Sequence, residues 1–198
     1  MSEAGASTVP AAIGPGRLIL VVGPSGAGKD TLIGHVRQRL AGDEAYLFPR
    51  RIVTRPPSPA EDNVEADAET FAAIAKAGGF ALAWSAHGHS YGIPAAIDHA
   101  LHEGRTVLSN VSREIVAAAR RRYADVTVIE ITAPADVLRA RIAGRSRASD
   151  GDASSRADRR VTAPVEPDVV IVNDTDVEGA ASRLLAVVTA PAGRRIAS

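Results

Sequence analysis

Arg17-Leu18-Ile19-Leu20-Val21-Val22-Gly23-Pro24-Ser25-Gly26-Ala27-Gly28-Lys29-Asp30-Thr31 is the stretch on which the reading of this chain turns. Its first part is a short apolar run, which reads as a buried strand. Gly23 to Lys29 then matches G-x-x-x-x-G-K, the phosphate-binding loop between a strand and a helix. The glycines let the backbone wrap tightly, so that successive N–H groups turn toward a polyphosphate. Lys29 adds a point charge for the β- and γ-phosphates. A helix predicted over residues 29–40 aims its positive end at the same anion, and Gly42 suits its stop. The bland alternative is a glycine-rich turn that fits by chance, and the strand before and helix after argue against it. The nucleotide-binding set is therefore Gly23, Pro24, Ser25, Gly26, Ala27, Gly28, Lys29, Asp30 and Thr31. The usual pattern places a Ser or Thr for Mg²⁺ directly after the lysine. Here that residue is Asp30 and the hydroxyl follows at Thr31, so Thr31 is the first choice of metal ligand and Asp30 the second.

The bulk composition narrows the classes. At 198 residues the chain suits one domain with a real core. Its 23 basic and 23 acidic residues balance, which argues against a nucleic-acid partner. It has no cysteine, which excludes disulfides and zinc–thiolate sites and fits a reducing, cytoplasmic setting. No apolar run approaches the roughly 20 residues that span a bilayer, so no membrane partner is expected. Residues 1–16 read as a floppy leader and 189–198 as a frayed tail.

Taken in order, residues 50–54 read as a second strand, stopped by Pro56 and Pro57. Residues 58–68 read as an acidic loop and 69–77 as a helix. Residues 80–85 and 88–91 suggest a hairpin, with Pro94 opening a helix to about 103. Strands at 106–109, 126–131 and 169–172 then alternate with helices at 114–123, 134–143 and 177–188. That alternation predicts an α/β fold: a three-layer αβα arrangement around a parallel sheet. Residues 144–160 break it with Arg145, Arg147, Arg156, Arg159 and Arg160. A mobile arginine flap and a merely solvated loop fit that composition equally.

Several pieces in this order resemble the guanylate-kinase-like branch of the nucleoside monophosphate kinases, over about residues 17–188. Besides the loop, they are Thr54-Arg55-x-Pro57, Tyr91-Gly92-x-Pro94, Arg141-x-x-Gly144-Arg145 and Val170-Ile171-Val172-Asn173-Asp174. The G-K-x-T spacing is also similar to that of adenylate kinases. The departures are informative: guanylate kinases grip the guanine edge with two carboxylates, and the matching positions here are Ala83 and Ser112. The second arginine of the family's T-R-x-P-R is Ser58. With Asp after the lysine, Thr54-Arg55-Pro56 and Asn110-Val111-Ser112-Arg113, the set resembles the ribose 1,5-bisphosphate phosphokinase family of this branch. The resemblance implies a P-loop NTPase fold with an acceptor-binding insertion near 55–93 and an arginine-rich lid near 144–160. It implies ATP with Mg²⁺ as cofactors and a sugar bisphosphate as partner, with Asn173 near the adenine. Oligomeric state stays open, a homodimer included.

On that resemblance Lys29, Arg141, Arg145, Arg147 and Arg156 are the catalytic candidates, closing charge over the transferring group. For Arg141 and Arg145 the plainer reading is a helix C-terminal charge, worth only ~0.3–1 kcal/mol. Arg55, Tyr91, Ser112 and Arg113 are the acceptor candidates, against surface or packing roles for each. Arg50 and Arg51 read as weaker, solvated cations. Trp84 reads as a hydrophobic wall, and His87 and His89 as exposed turn residues. Two rival functions remain: a nucleoside monophosphate kinase with altered base choice, and a non-catalytic guanylate-kinase-like binding module.

Overall fold

The apolar run 17–22 is the centre of the molecule. It lies in β1 (Ile13–Val22), and every side chain from Leu18 to Val22 is buried. Alternate residues serve two cores, Leu18, Leu20 and Val22 facing one and Ile19 and Val21 the other. A strand covered on both faces needs a continuous apolar run, and its two-residue period divides that run between the layers.

The computed structural model describes residues 11–56, 62–148, 165–174 and 176–191, with backbone alone for 144–148. After β1 come α1 (Lys29–Arg39), β2 (Tyr46–Leu47), β3 (Arg51–Val53), β4 (Asn63–Glu65) and α2 (Ala68–Lys76). The hairpin β5 (Phe80–Ala86) and β6 (His89–Pro94) follows, then α3 (Ala96–His102), β7 (Thr106–Asn110) and α4 (Val116–Arg122). The chain continues through β8 (Tyr123–Thr132), α5 (Ala135–Ala148), β9 (Val169–Val172) and α6 (Val177–Thr189). The central sheet is parallel throughout, in the order β2-β7-β1-β8-β9. Leu32 and Val36 of α1 and Leu184 and Val188 of α6 cover one face. Ile97 and Leu101 of α3 and Val116 and Ala119 of α4 cover the other. This is the three-layer αβα fold of a P-loop NTPase.

A second, mixed sheet, β4-β3-β6-β5, is inserted between β2 and β7. Its Ala81, Leu82, Trp84 and Ile93 join the core beneath β1, which fixes the small sheet to the large one. Arg17 ties the C-terminus of α6 to β1 by donating from Nη2 to the carbonyls of Val187 (2.9 Å) and Val188 (2.6 Å). Burial pushes its guanidinium pKa below the ordinary value. No helix among the described residues is long and apolar enough to cross a membrane.

The elements differ from the sequence reading in five places. Residues 13–16, read as leader, open β1, where Ile13 pairs with Tyr123. The strand at 51–53 forms, but in the small sheet; the central sheet takes β2 instead, too short at two residues to show a pattern. β4 emerges within the acidic stretch because Asn63 is buried there and its carbonyl and amide oxygens accept from Arg50 and Arg51. Pro94 ends β6 rather than opening α3. Residues 144–148 continue α5, so the helix runs into the segment read as lid. Most of that segment, with Arg156, and also Ser58 and residues 192–198, lie outside the described residues, as do the side chains of Arg145 and Arg147.

Candidate active site

The phosphate loop stands at the carboxyl end of β1, between β7 and β8, where parallel sheets place their ligands. Gly23 has φ of 143° and Gly28 φ of 85°, conformations open to glycine. A Cβ on Gly23 would run into the Ile131 carbonyl oxygen, and one on Gly28 into the Asn173 amide. The loop is thus pressed against β8 and the end of β9 and cannot relax outward. The Lys29 ammonium crosses it, donating to the carbonyls of Gly23 (2.9 Å) and Pro24 (3.0 Å). Its charge is held at the loop mouth.

Beside the loop opens a cleft of about 330 Å³. Gly23, Ser25, Gly26, Gly28, Lys29 and Asp30 form its nucleotide side. Pro24 and Ala27 shape the loop without lining the cleft: the Ala27 N–H donates to the Pro24 carbonyl (3.3 Å) and Ala27 is buried. Asp30 faces the cleft, whereas Thr31 is exposed and does not line it. Of the two metal-ligand candidates, Asp30 is the one on the cleft side. The residue directly after the lysine sits on the inner side of the first helical turn, and the next one points out.

The opposite wall comes from three separate places. β3 supplies Arg51, and Arg55 follows two residues past its end; the β5–β6 hairpin supplies Trp84, Ala86, His87 and Tyr91. The turn after β7 supplies Val111, Ser112 and Arg113. The Trp84 and Tyr91 rings stack with centroids 5.5 Å apart and 9° between planes, and the Arg55 guanidinium lies 6.0 Å from the Tyr91 centroid. Arg113 donates to Glu130 of β8. Among the described residues lining the cleft, Asp30 alone is acidic, and it stands on the nucleotide side.

Two sequence readings change here. Ala83 does not mark an emptied wall of the cleft. Paired with Gly92, it faces away from the cleft, and Trp84, one residue on, takes the inner face. Arg51 is not a solvated cation: its side chain is 11% exposed and donates to the Asn63 side chain (3.2 Å) and the Asn110 carbonyl (3.3 Å). Strand parity carried that signal, since Arg51 shares a face with the fully buried Val53. Arg50, in contrast, pairs with the exposed Asp62, whose acidity the hydrogen bond from Arg37 increases.

Arg141 does not line the cleft. Its Nη1 donates to the carbonyl of Asn173 (3.0 Å) and its Nη2 to that of Asp174 (2.6 Å), with Gly26 O 3.5 Å from Nη1. Asn173, 2% exposed, donates from Nδ2 to the Ala27 carbonyl (2.8 Å), and its Oδ1 accepts no bond among the described residues. These two side chains brace the back of the phosphate loop. Asn110, a motif residue with no role evident from sequence, places its amide against Asp30 at the end of β7.

The guanylate kinase family pattern matches residues 15–190 of the chain. The chain is 53% identical over 176 residues to a ribose 1,5-bisphosphate phosphokinase of Rhodopseudomonas palustris, covering 89% of this chain and 90% of that protein. It is 52% identical over 172 residues to one of Methylobacterium radiotolerans, covering 87% and 97%. In structure it is similar to a guanylate kinase of Anaplasma phagocytophilum, with a TM-score of 0.60 and 20% identity over 87% of this chain and 84% of that one.

Proposed function

The chain belongs to the guanylate kinase family and, within it, to the ribose 1,5-bisphosphate phosphokinases, and from that premise we propose how its cleft works. ATP binds along the phosphate loop and donates its γ-phosphoryl group to the 1-phosphate of ribose 1,5-bisphosphate. The products are ADP and 5-phospho-α-D-ribose 1-diphosphate.

The observation that carries the acceptor assignment is the charge of the far wall. Arg51, Arg55 and Arg113 line it, and no carboxylate does among the described residues. A guanine edge presents N–H donors, and without an acceptor each would cost about 1–3 kcal/mol. A sugar bisphosphate presents only hydroxyls and anionic oxygens, which arginines bind with paired, charge-assisted bonds. The Trp84–Tyr91 stack gives the ribose a flat apolar floor, and Ser112 offers a hydroxyl.

Transfer between two phosphates needs alignment and charge neutralisation more than covalent help. The loop N–H groups and Lys29 hold the donor, while Arg55 and Arg113 hold the acceptor's phosphates. Arg141 and Asn173 act behind the loop, keeping its amides aimed. For Arg145, Arg147 and Arg156 the proposed role is the one the resemblance implies, positive charge for the transferring group. Mg²⁺ takes one or two carboxylates with phosphate oxygens and water. Asp30, an acid on the cleft side of the loop, fits that donor set. When bound, the ion neutralises charge on the β- and γ-phosphates.

The test is an assay offering ribose 1,5-bisphosphate, GMP and AMP side by side with ATP. Ribose 1,5-bisphosphate should be preferred by roughly 10² in kcat/KM, since its second phosphate adds about 1.5–3 kcal/mol and an unpaired donor on the purine edge costs a nucleotide about 1–3 kcal/mol. Preference for GMP would reject the assignment.

A further inference from the structure

In the common form of this loop, Mg²⁺ is held by the Ser or Thr after the lysine and by an aspartate at the end of a neighbouring strand. Here the first position is Asp30. The end of β7, the strand beside β1, is Asn110. The two side chains meet: Asn110 Nδ2 donates to Asp30 Oδ1 over 2.7 Å. We infer that the carboxylate and its neutral partner have exchanged places, so that Asp30 supplies the protein's oxygen to the nucleotide's Mg²⁺ and Asn110 is the residue that positions it. This inference rests on the reading of the cleft as an ATP site and deepens it.

Three observations support the exchange. The pair carries one negative charge, as a serine–aspartate pair does, so the field at the metal is kept while its source moves from strand to loop. Asp30 receives its protein donors on one oxygen only: Oδ1 takes the Asn110 amide and faces Arg51 Nη2 at 3.8 Å. Oδ2 accepts no hydrogen bond among the described residues and is left for a cation. An aspartate at 110 would replace this donor with a second acceptor and set two carboxylates against each other. The asparagine amide donates to Asp30 Oδ1, which fixes the rotation of the carboxylate and turns its other oxygen toward the cleft side.

Arg51 extends the arrangement. Its Nη1 donates to the Asn110 carbonyl (3.3 Å) and its Nε to the Asn63 side chain (3.2 Å), so β3 of the acceptor sheet bears on the same carboxylate. Among the described residues no group of three or more acidic or histidine side chains is placed to hold a metal ion. One carboxylate completed by phosphate oxygens and water is the set Mg²⁺ commonly takes beside a nucleotide.

Mn²⁺ binding, followed by electron paramagnetic resonance with a non-hydrolysable ATP analogue present, tests this without an acceptor. Asp30→Ala should weaken Mn²⁺ at least ~10-fold, and Asn110→Ala about 10-fold, as loss of an outer-shell partner does. Metal-free affinity for the analogue should change by less than about 3-fold, because the loop amides and Lys29 remain. Asp30→Ser alone should bind Mn²⁺ weakly, and adding Asn110→Asp should restore it to within about 3-fold of wild type, the common pairing being rebuilt. If Asp30→Ala does not fold, Asp30→Asn removes the charge at equal size and carries the same expectation. Wild-type Mn²⁺ affinity in the Asp30 variant, or no rescue by the second substitution, would overturn the exchange. A wrong sugar acceptor would leave these results unchanged and would surface only in the turnover assay.

Discussion

The two walls of the cleft are built on opposite plans. The nucleotide wall comes from one continuous segment, residues 23–30, and on the proposed reading works through backbone amides, Lys29 and Asp30. The acceptor wall is assembled from side chains of β3, the β5–β6 hairpin and the turn after β7, which lie up to 62 positions apart between Arg51 and Arg113. Backbone recognition of a triphosphate demands one loop shape and so one sequence pattern. Side-chain recognition can be rewritten residue by residue, so the acceptor wall is where members of one fold diverge.

The largest effect should come from the nucleotide wall. Lys29→Ala should lower kcat at least ~100-fold, as loss of one preorganised charge stabiliser does. Its melting temperature should stay close to wild type, because the two carbonyls it leaves lie at the edge of an open cleft. An equal fall in stability and rate would mean that the lysine only holds the loop together.

Next come the acceptor arginines. Arg55→Ala and Arg113→Ala should each raise the acceptor KM about 10–100-fold, the range of a lost charge-assisted bond. The KM for ATP should move less than about 3-fold, since neither residue is on the loop. Parallel changes in both constants would erase the division between the walls.

Arg51 sits where the walls meet, and its loss should be read in stability as well as rate. Arg51→Ala removes the donors to Asn63 and Asn110 and strips Asp30 of its cation. The expected cost is about 1–3 kcal/mol, a fall in melting temperature of about 2–4 °C per kcal/mol. No loss of stability would return Arg51 to the solvated role first read for it.

The smallest effect belongs outside the cleft and serves as the control. Tyr123 donates to Asp98 (2.7 Å), and burial, then that bond, raises its pKa above the ordinary tyrosine value. The folded protein therefore keeps a proton that the unfolded chain releases, so stability falls as pH rises past about 10. Tyr123→Phe should cost about 1 kcal/mol near neutrality, lack that part of the alkaline slope, and leave both KM values unchanged. Urea unfolding at pH 7 to 11 measures it.

What could be read from the sequence follows the same division. Four strands of the central sheet, β1, β7, β8 and β9, were legible because each holds an apolar run and helices separate them, β1 being buried on both faces from Leu18 to Val22. The phosphate loop was legible because its glycines answer to backbone geometry. β2 and β4 were not, being two and three residues long and held by tertiary pairing rather than by a pattern. Position in a motif makes Ala83 a pocket residue, whereas hairpin register turns it outward. Arg51 was undervalued although its parity with Val53 was visible. Asn110 was beyond reach as a partner of Asp30, because their contact spans 80 positions and no local rule relates them.

The central claim is that the far wall selects two phosphates rather than a purine. Calorimetric titration of ribose 1,5-bisphosphate, ribose 5-phosphate and GMP into Lys29→Ala, which should not turn over, measures that selection directly. The bisphosphate should bind at least ~10-fold more tightly than either competitor, the second phosphate adding about 1.5–3 kcal/mol. GMP binding as tightly as the bisphosphate, or ribose 5-phosphate matching it, would contradict the account.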